Sequence, residues 1–252
     1  MNQIDLGGRV AVVTGGGSGI GYASAERFLR SGATVELWGR NPTKLEEARA
    51  ALAPLGTVTT QVVDISQWDT VDAAAKRTLA RHGKVDILFN CAGTTETGPA
   101  LKMPIEAWRE SIAVNLDGVF FCCRAFGPGM VDKGYGRIIN ASSMAGKDGN
   151  ASQAAYSSAK AGVIAFTKAL AKELVANGVI VNAIAPTLFD TPLAQATLKG
   201  APEAMKIAFD KIPMRRMGRP EEAAAMVAWL ASEECSFTTG FTFDLSGGRA
   251  TY

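Results

Sequence analysis

Residues 10–21 read VAVVTGGGSGIG: a run that favours a β-strand leads directly into a glycine-rich turn, and a helical pattern follows. Small residues let such a turn approach a pyrophosphate, whose charge meets the N–H groups and the positive dipole end of the helix. The spacing of Gly15, Gly19 and Gly21 differs from GxGxxG, and no Gly-Lys-Ser/Thr follows, which disfavours NTP hydrolysis. The stretch predicts a nucleotide site, and a turn that only packs strand against helix is the alternative.

On either side of this turn, short β-branched runs alternate with amphipathic helical stretches, the pattern of a parallel sheet covered by helices. The predicted strands are Val10–Thr14, Thr34–Trp38, Val58–Val63, Val85–Asn90, Arg137–Ser142, Val179–Ile184 and Phe241–Asp244. The predicted helices are Gly19–Ser31, Pro42–Leu55, Gln67–His82, Pro104–Lys133, Ala151–Asn177 and Pro220–Ala231. We expect an α/β fold with one seven-stranded sheet and a single domain over residues 1–252. The stretch of about 187–219 exceeds a usual connection, so we expect small helices or a mobile lid there.

The composition limits the classes of function. The chain has 252 residues, of which 47% are hydrophobic and 20% charged, so it can bury a substantial core, and its net charge of +2 argues against a nucleic-acid partner. Every apolar stretch of eighteen residues is interrupted by charged residues, and the first residues show no signal-peptide pattern. We therefore expect a cytoplasmic chain without a membrane span.

Cysteine and histidine usage restricts the chemistry. The four cysteines show no CxxC spacing and are expected to be reduced thiols that pack as small hydrophobes. His82 is the only histidine, which excludes a histidine-rich zinc site, and no metal is expected. It follows Arg81 at a predicted helix end, where we expect a solvated side chain. Acid–base chemistry must therefore come from other residues.

The end of the second strand bears on the nucleotide. Dinucleotide folds usually place an acidic residue there to hold the adenosine ribose, but this strand ends in Gly39-Arg40. A guanidinium suits a 2′-phosphate, because it offers a charged, planar set of donors. NADP is favoured and NAD is possible; a solvated Arg40 is the alternative.

Tyr156 and Lys160 stand four residues apart on a predicted helix and therefore share one face. Ser143 follows the fifth strand, at the edge where a parallel sheet presents its ligand contacts. A tyrosine can exchange a proton with an alcohol or carbonyl if its pKa, about 10 when unperturbed, falls toward neutrality. We expect Lys160 and the positive ring of a bound nicotinamide to lower that pKa, and Ser143 to bond the substrate oxygen.

These motifs together resemble the short-chain dehydrogenase/reductase superfamily. They are TGxxxGIG over 14–21, Asn-Cys-Ala-Gly over 90–93, Asn115, Ser143, and Tyr156-Ser-Ser-Ala-Lys160. The segments 216–222 (RMGRPEE) and 246–248 (SGG) are most similar to those of 3-oxoacyl-ACP reductases. The resemblance covers essentially the whole chain, and it implies a Rossmann-like sheet in the order 3-2-1-4-5-6-7.

The resemblance also implies a site. The implied catalytic residues are Asn115, which completes a water-linked proton relay, and Ser143, Tyr156 and Lys160. The implied cofactor-binding residues are Gly15, Gly17, Ser18, Gly19, Ile20, Gly21, Arg40, Asp64, Ile65, Asn90, Ala92, Gly93, Tyr156, Lys160, Pro186, Thr187 and Thr191. It further implies a homotetramer, or a homodimer, paired through the helices that contain Asn115 and Tyr156. Departures from the family pattern are Cys91, Thr187 after Pro186, and Lys172 in place of an arginine that meets carrier proteins.

The substrate pocket is expected to be framed by Ser143, Lys147, Asn150, Gln153 and Arg249. If Lys147 and Arg249 both face the pocket, they suit the carboxylate of a small acid; two solvated surface charges are the alternative. The leading function is an NAD(P)-dependent oxidoreductase that interconverts a secondary alcohol and a ketone as a 3-oxoacyl-ACP reductase does. The alternatives are a sugar-acid or polyol dehydrogenase and, more remotely, a non-catalytic protein that senses a dinucleotide. The expected partner is a small carbonyl or alcohol substrate.

Overall fold

Seven parallel β-strands form one sheet in the computed structural model, which describes residues 3–198, 206–207 and 209–250. The strand order is 3-2-1-4-5-6-7, as predicted. The strands are β1 Val10–Thr14, β2 Thr34–Gly39, β3 Val58–Val62, β4 Ile87–Asn90, β5 Gly136–Ala141, β6 Val179–Pro186 and β7 Thr242–Leu245. The predicted bounds differ from these by at most two residues at either end. The sheet reverses direction of winding between β1 and β4, so the carboxyl ends of these two strands flank a crevice.

Helices cover both faces of the sheet. They are α1 Gly19–Arg30, α2 Pro42–Leu52, α3 Trp68–His82, α4 Ile105–Ile112, α5 Gly118–Lys133, α6 Met144–Asp148, α7 Ala154–Leu174, α8 Pro192–Leu198 and α9 Pro220–Ala231. Ala11 and Val13 of β1 belong to the core beneath α1, α2 and α9, whereas Val12 packs with α3, α5 and α7. Because β1 is buried on both faces, its sequence is continuously apolar instead of alternating.

The predicted helix over Pro104–Lys133 is interrupted. Between α4 and α5, residues Ala113–Asp117 form a π-helical segment, which contains the candidate catalytic residue Asn115. Single π-helical turns inside α-helices are frequent at functional sites.

The prediction of a solvated His82 is wrong. Its side chain is only 8% exposed, and Nε2 lies 2.9 Å from Oε2 of Glu36, a fully buried carboxylate on β2. Trp38 Nε1 donates to the same carboxylate at 2.9 Å, and Arg81 donates to it at 2.7 Å. The last turn of α3 folds back onto β2 because this buried charge requires donors.

The long segment before α9 carries the small helix that was expected. This is α8, and Phe189 forms a bridge with Gly218 across the segment. Residues 199–205 and 208 lie outside the described residues. None of the helices in the described part of the chain is long and apolar enough to span a bilayer.

Candidate active site

The glycine-rich turn is held against the second strand. The backbone N–H of Gly15 donates to Trp38 O at 2.8 Å, and Gly15 has φ +68°, a conformation that favours glycine. A Cβ on Gly15 would lie 2.9 Å from Ala92 Cα, and one on Gly21 would lie 2.4 Å from Gly15 O. The absence of these side chains lets the turn pack between β4 and α1, with its outer face at the crevice.

The residues at the turn fit a dinucleotide pyrophosphate. α1 begins at Gly19, its first turn contains no acidic residue, and the Ser18 side chain makes no capping bond, so N–H groups at the helix start are free of side-chain acceptors. Gly17 is open, because a Cβ there would approach nothing closer than 3.5 Å. Thr191, at the start of α8, lies over this turn: its Cγ2 is 3.1 Å from the Cβ position of Gly19.

The other cofactor candidates occupy the carboxyl ends of β2, β3, β4 and β6. Arg40 is exposed just after β2, and Asp64 bonds the N–H and hydroxyl of Ser66, at 3.0 and 2.7 Å. Asn90 points its side chain into the core, where Nδ2 donates to Asn140 Oδ1 at 2.9 Å, so only its backbone can reach the crevice. Ile20 lies in the first turn of α1, and the remaining candidates at these edges are Ile65, Ala92, Gly93, Pro186 and Thr187.

Ser143, Tyr156 and Lys160 meet at one place. The hydroxyls of Ser143 and Tyr156 form a hydrogen bond, and Lys160 Nζ lies 5.8 Å from the centre of the Tyr156 ring. Ser143 is the N-cap of α6, where its hydroxyl accepts from Ala145 N at 3.1 Å, and it donates to Pro186 O at 3.4 Å. The predicted proximity of the three side chains is therefore present in the structure.

Lys160 is a buried ammonium group. It is 3% exposed, and Nζ donates to Ala141 O at 2.8 Å, with no carboxylate partner among the described residues. Burial lowers the pKa of Lys160 to about 8. Such a group fits a polar ligand, because its remaining donors need acceptors.

The pKa of Tyr156 moves in the direction opposite to the expectation. Burial raises it above its usual value, and the hydrogen bond with Ser143 only partly counteracts that rise. Lys160 Nζ, 5.8 Å from the centre of the ring, does not offset the effect of burial on the pKa of Tyr156 in the protein alone.

Asn115 approaches Lys160 from the opposite side. Its Nδ2 donates to Thr94 O and to Ser111 O, each at 3.0 Å, so the amide is fixed. A Cβ on Gly93 would lie 2.8 Å from Asn115 Oδ1 and 3.6 Å from Lys160 Nζ. The lack of a side chain on Gly93 thus lets the Asn115 amide and the Lys160 ammonium group both lie close to the backbone of this residue.

A chain of hydrogen bonds surrounds this centre, and we call it the polar belt. Gln153 donates to Thr95 Oγ1 at 3.4 Å, and Asn150 donates to Gln153 Oε1 at 2.8 Å. Arg249 Nη2 donates to Asn150 Oδ1 at 2.9 Å, and Nη1 donates to Thr187 Oγ1 at 3.4 Å. The belt joins the segments that follow β4, β5, β6 and β7, and it brings together three of the four further substrate candidates.

Two residues of this region were missed from the sequence. Asp148 ends α6 and accepts from Arg249 Nε at 2.9 Å, although 101 positions separate them. Thr95 belongs to the belt and is two positions beyond Gly93. Both residues lie close in sequence to predicted site residues, but their hydrogen-bond partners, Arg249 and Gln153, are distant in sequence. Lys147 precedes Asp148 on α6 and is partly buried.

The site resembles those of known oxidoreductases. A family model described as "Enoyl-(Acyl carrier protein) reductase" matches residues 15–250. The chain is 46% identical to a 2-dehydro-3-deoxy-L-rhamnonate dehydrogenase (NAD(+)) of Sphingomonas sp., over 97% of this chain and 96% of the relative. It is 36% identical to a 3-oxoacyl-[acyl-carrier-protein] reductase of Thermotoga maritima, over 96% of this chain and 98% of the relative.

A solved structure agrees with these relatives. A candidate NAD(P)-dependent gluconate 5-dehydrogenase from Beutenbergia cavernae, with NADP bound at low occupancy, superposes with a TM-score of 0.93. The two chains are 35% identical, and the match covers 98% of this chain and 99% of that one.

Proposed function

Because the chain belongs to the short-chain dehydrogenase/reductase family and is an NAD(P)-dependent oxidoreductase acting on CH–OH groups, we propose that its substrate is a short sugar acid. The observation that carries this proposal is the polar belt around Ser143 and Tyr156. A belt of amides, a hydroxyl and a guanidinium provides donors and acceptors for several hydroxyl groups and for an acid group. An apolar acyl chain carries no group that could bond the donors and acceptors that the belt leaves unused.

The catalytic roles follow from the positions of the four side chains. Ser143 bonds the oxygen of the reacting carbon, and Tyr156 takes the hydroxyl proton during oxidation or gives it during reduction. A bound nicotinamide supplies the hydride acceptor or donor, and its oxidised ring adds the positive charge that offsets the effect of burial on the pKa of Tyr156. Lys160 Nζ holds the cofactor ribose, and Asn115, which lies with Lys160 beside Gly93, passes the proton outward through water.

The proposed cofactor preference is for NADP. Arg40 is exposed at the end of β2, next to the turn that faces the pyrophosphate, and Gly39 carries no carboxylate that would repel a 2′-phosphate. The Sphingomonas relative is named for NAD(+), so NAD remains the alternative.

The chain is also proposed to form a homotetramer, or a homodimer, through the helices that contain or flank Asn115 and Tyr156, namely α4, α5 and α7. Trp108 is 40% exposed and Phe120 is 42% exposed, and Leu101 and Ile105 add apolar surface beside them. Phe120 packs on Phe166 of α7 with ring centres 6.0 Å apart. A face of this kind on a water-soluble chain is stabilised by a second copy.

A substrate panel tests the function. The purified chain is assayed with 2-dehydro-3-deoxy-L-rhamnonate and related sugar acids, with polyols and with acyl thioesters, each with both cofactors, by absorbance of the reduced nicotinamide. We expect the highest kcat/KM with a sugar acid. The second candidate is the reduction of 3-oxoacyl thioesters, which the similarity to the Thermotoga relative favours. A thioester preference in the panel rejects the sugar acid, and no turnover with any of these compounds rejects both candidates.

A further inference from the structure

Arg249 lies in the polar belt as a prepositioned cation. Its side chain is 13% exposed, and Asp148 Oδ2 accepts from Nε and lies 2.9 Å from Nη2. Asn150 accepts the second Nη2 bond, so two edges of the guanidinium are fixed. Fixing the side chain before a ligand arrives reduces the entropy lost on binding.

The third edge of the guanidinium lies beside Thr187. Nη1 makes one long hydrogen bond, 3.4 Å to Thr187 Oγ1, and its second N–H has no acceptor among the described residues. Thr187 follows Pro186, whose carbonyl oxygen accepts from Ser143 at 3.4 Å. The incompletely paired edge of this partly buried guanidinium thus contacts the residue that follows Pro186, whose carbonyl oxygen is bonded to Ser143.

We infer that Arg249 Nη1, with Thr187 Oγ1 beside it, binds the substrate carboxylate and so selects acids over neutral alcohols. This inference rests on the proposed function and names the residues that recognise the acid group of the substrate. Asp148 already neutralises part of the guanidinium charge, so a carboxylate with a single charge fits better than a phosphate. Charge-assisted hydrogen bonds of arginine to carboxylates are about twice as strong as neutral ones.

The competing explanation is structural. Arg249 also anchors the chain after β7 to α6, and loss of that anchor would disturb every substrate equally. The two explanations differ in their dependence on substrate charge, because only a carboxylate-binding role distinguishes an acid from a neutral molecule of the same shape.

The test compares 2-dehydro-3-deoxy-L-rhamnonate with its carboxamide in the full chain. We expect the wild type to prefer the acid by about 10-fold or more. Arg249→Met should lower kcat/KM for the acid by about 30- to 100-fold, mainly through KM, and for the carboxamide by less than about 3-fold. Arg30→Met is the matched control: Arg30 donates to Glu26 on α1 at 3.0 and 2.8 Å, outside the belt, and its loss should leave the ratio of acid to carboxamide unchanged.

Arg249→Lys is a second variant, in case Arg249→Met does not fold. It retains the charge opposite Asp148 but loses the planar fork, so the acid should lose about 10-fold while the carboxamide is unaffected. Equal losses with acid and carboxamide overturn the carboxylate subsite while leaving a sugar-acid dehydrogenase in place. A wild type that oxidises no sugar acid but reduces thioesters overturns both the function and the subsite.

Discussion

The backbone carbonyl of Trp38 accepts a 2.8 Å hydrogen bond from the Gly15 N–H, and this contact joins the end of β2 to the glycine-rich turn. It places the residues that follow Trp38, namely Gly39 and Arg40, beside the turn that is proposed to bind the pyrophosphate. A charge at the end of β2 is therefore close enough to interact strongly with the 2′-hydroxyl or the 2′-phosphate of an adenosine ribose bound at this turn.

Arg40→Ala is expected to weaken the binding of NADPH and to leave NADH nearly unchanged. Loss of one charge-assisted bond to a phosphate at an exposed site should raise the Kd of NADPH about 10-fold, and that of NADH less than about 3-fold. Titration of intrinsic fluorescence with each reduced cofactor measures both constants. Equal changes in the two constants contradict a phosphate-binding role for Arg40.

The reciprocal variant is Gly39→Asp. A Cβ at Gly39 meets only Leu45, at 3.4 Å, so a side chain fits. Its carboxylate should bond the ribose hydroxyls of NADH and repel the 2′-phosphate of NADPH, which shifts the preference toward NADH in the same titration.

Tyr156→Phe is expected to lower kcat by about a thousand-fold, because it removes the hydroxyl that exchanges the proton. The Kd of the reduced cofactor should change less than about 3-fold, since Lys160 and the glycine turn are untouched. Single-turnover absorbance with saturating cofactor measures the first quantity, and fluorescence titration measures the second. A variant that keeps a tenth of the wild-type kcat would show that another group carries the proton.

The sequence predicts the sheet and its helices well because their signals are local. β1 is a continuous apolar run that is buried on both faces, and the turn after it consists of glycines at positions where a side chain would collide with the backbone. The proximity of Tyr156 and Lys160 was also predictable, since it depends only on helical spacing. The direction of the pKa of Tyr156 was not, because burial is a property of the folded chain.

Other features depend on residues far apart in sequence. His82 bonds Glu36 across 46 positions, and no local pattern identifies the buried carboxylate as its partner. The same holds for Arg249 and Asp148. The π-helical segment around Asn115 has no signature in a stretch whose apolar periodicity fits a continuous helix.

Phe120→Asp is expected to dissociate the assembly. A charge on the exposed apolar face of α5 would be buried without a partner in the interface. Sedimentation velocity should show a shift from tetramer or dimer to monomer. Val62→Asp is the matched control, because Val62 is 57% exposed on β3, an edge strand of the sheet that is not part of the proposed interface, and should leave the sedimentation coefficient unchanged. An unchanged coefficient in Phe120→Asp places the interface elsewhere.

Lys160→Met is expected to inactivate the enzyme and to stabilise its fold at neutral pH. The folded-state pKa of Lys160, about 8, lies below the unfolded value of 10.5, so the unfolded chain binds more protons between these values and stability rises with pH there. Below pH 8 burial of the ammonium costs its full amount, about 3 kcal/mol at about 1.4 kcal/mol per pKa unit. Urea unfolding should show a gain of that order at pH 7 that shrinks toward pH 10; a constant gain contradicts the burial cost.

Glu36→Gln is expected to lower the free energy of unfolding in a manner that depends on pH. Burial alone would raise the pKa of Glu36, but donors such as Thr78, Trp38, Gln61 and His82 outweigh it and lower the pKa to about 2. Because the folded pKa lies below the unfolded value of 4.5, the carboxylate stabilises the fold fully above pH 4.5, and that contribution is lost as the pH falls through 2.

The expected size of the loss in Glu36→Gln is about 3 kcal/mol at pH 7. Urea unfolding of both proteins at pH 7, 4 and 3 measures it, and the two free energies should converge at the lower values. A difference that stays constant with pH would mean that the amide disturbs the donors sterically and that the charge of Glu36 contributes nothing. The Kd of the cofactor, measured at a pH where both proteins are folded, is a second readout. Glu36 accepts a hydrogen bond from the Trp38 indole, and the Trp38 carbonyl accepts one from Gly15 in the glycine-rich turn, so we expect this Kd to rise when the carboxylate is lost.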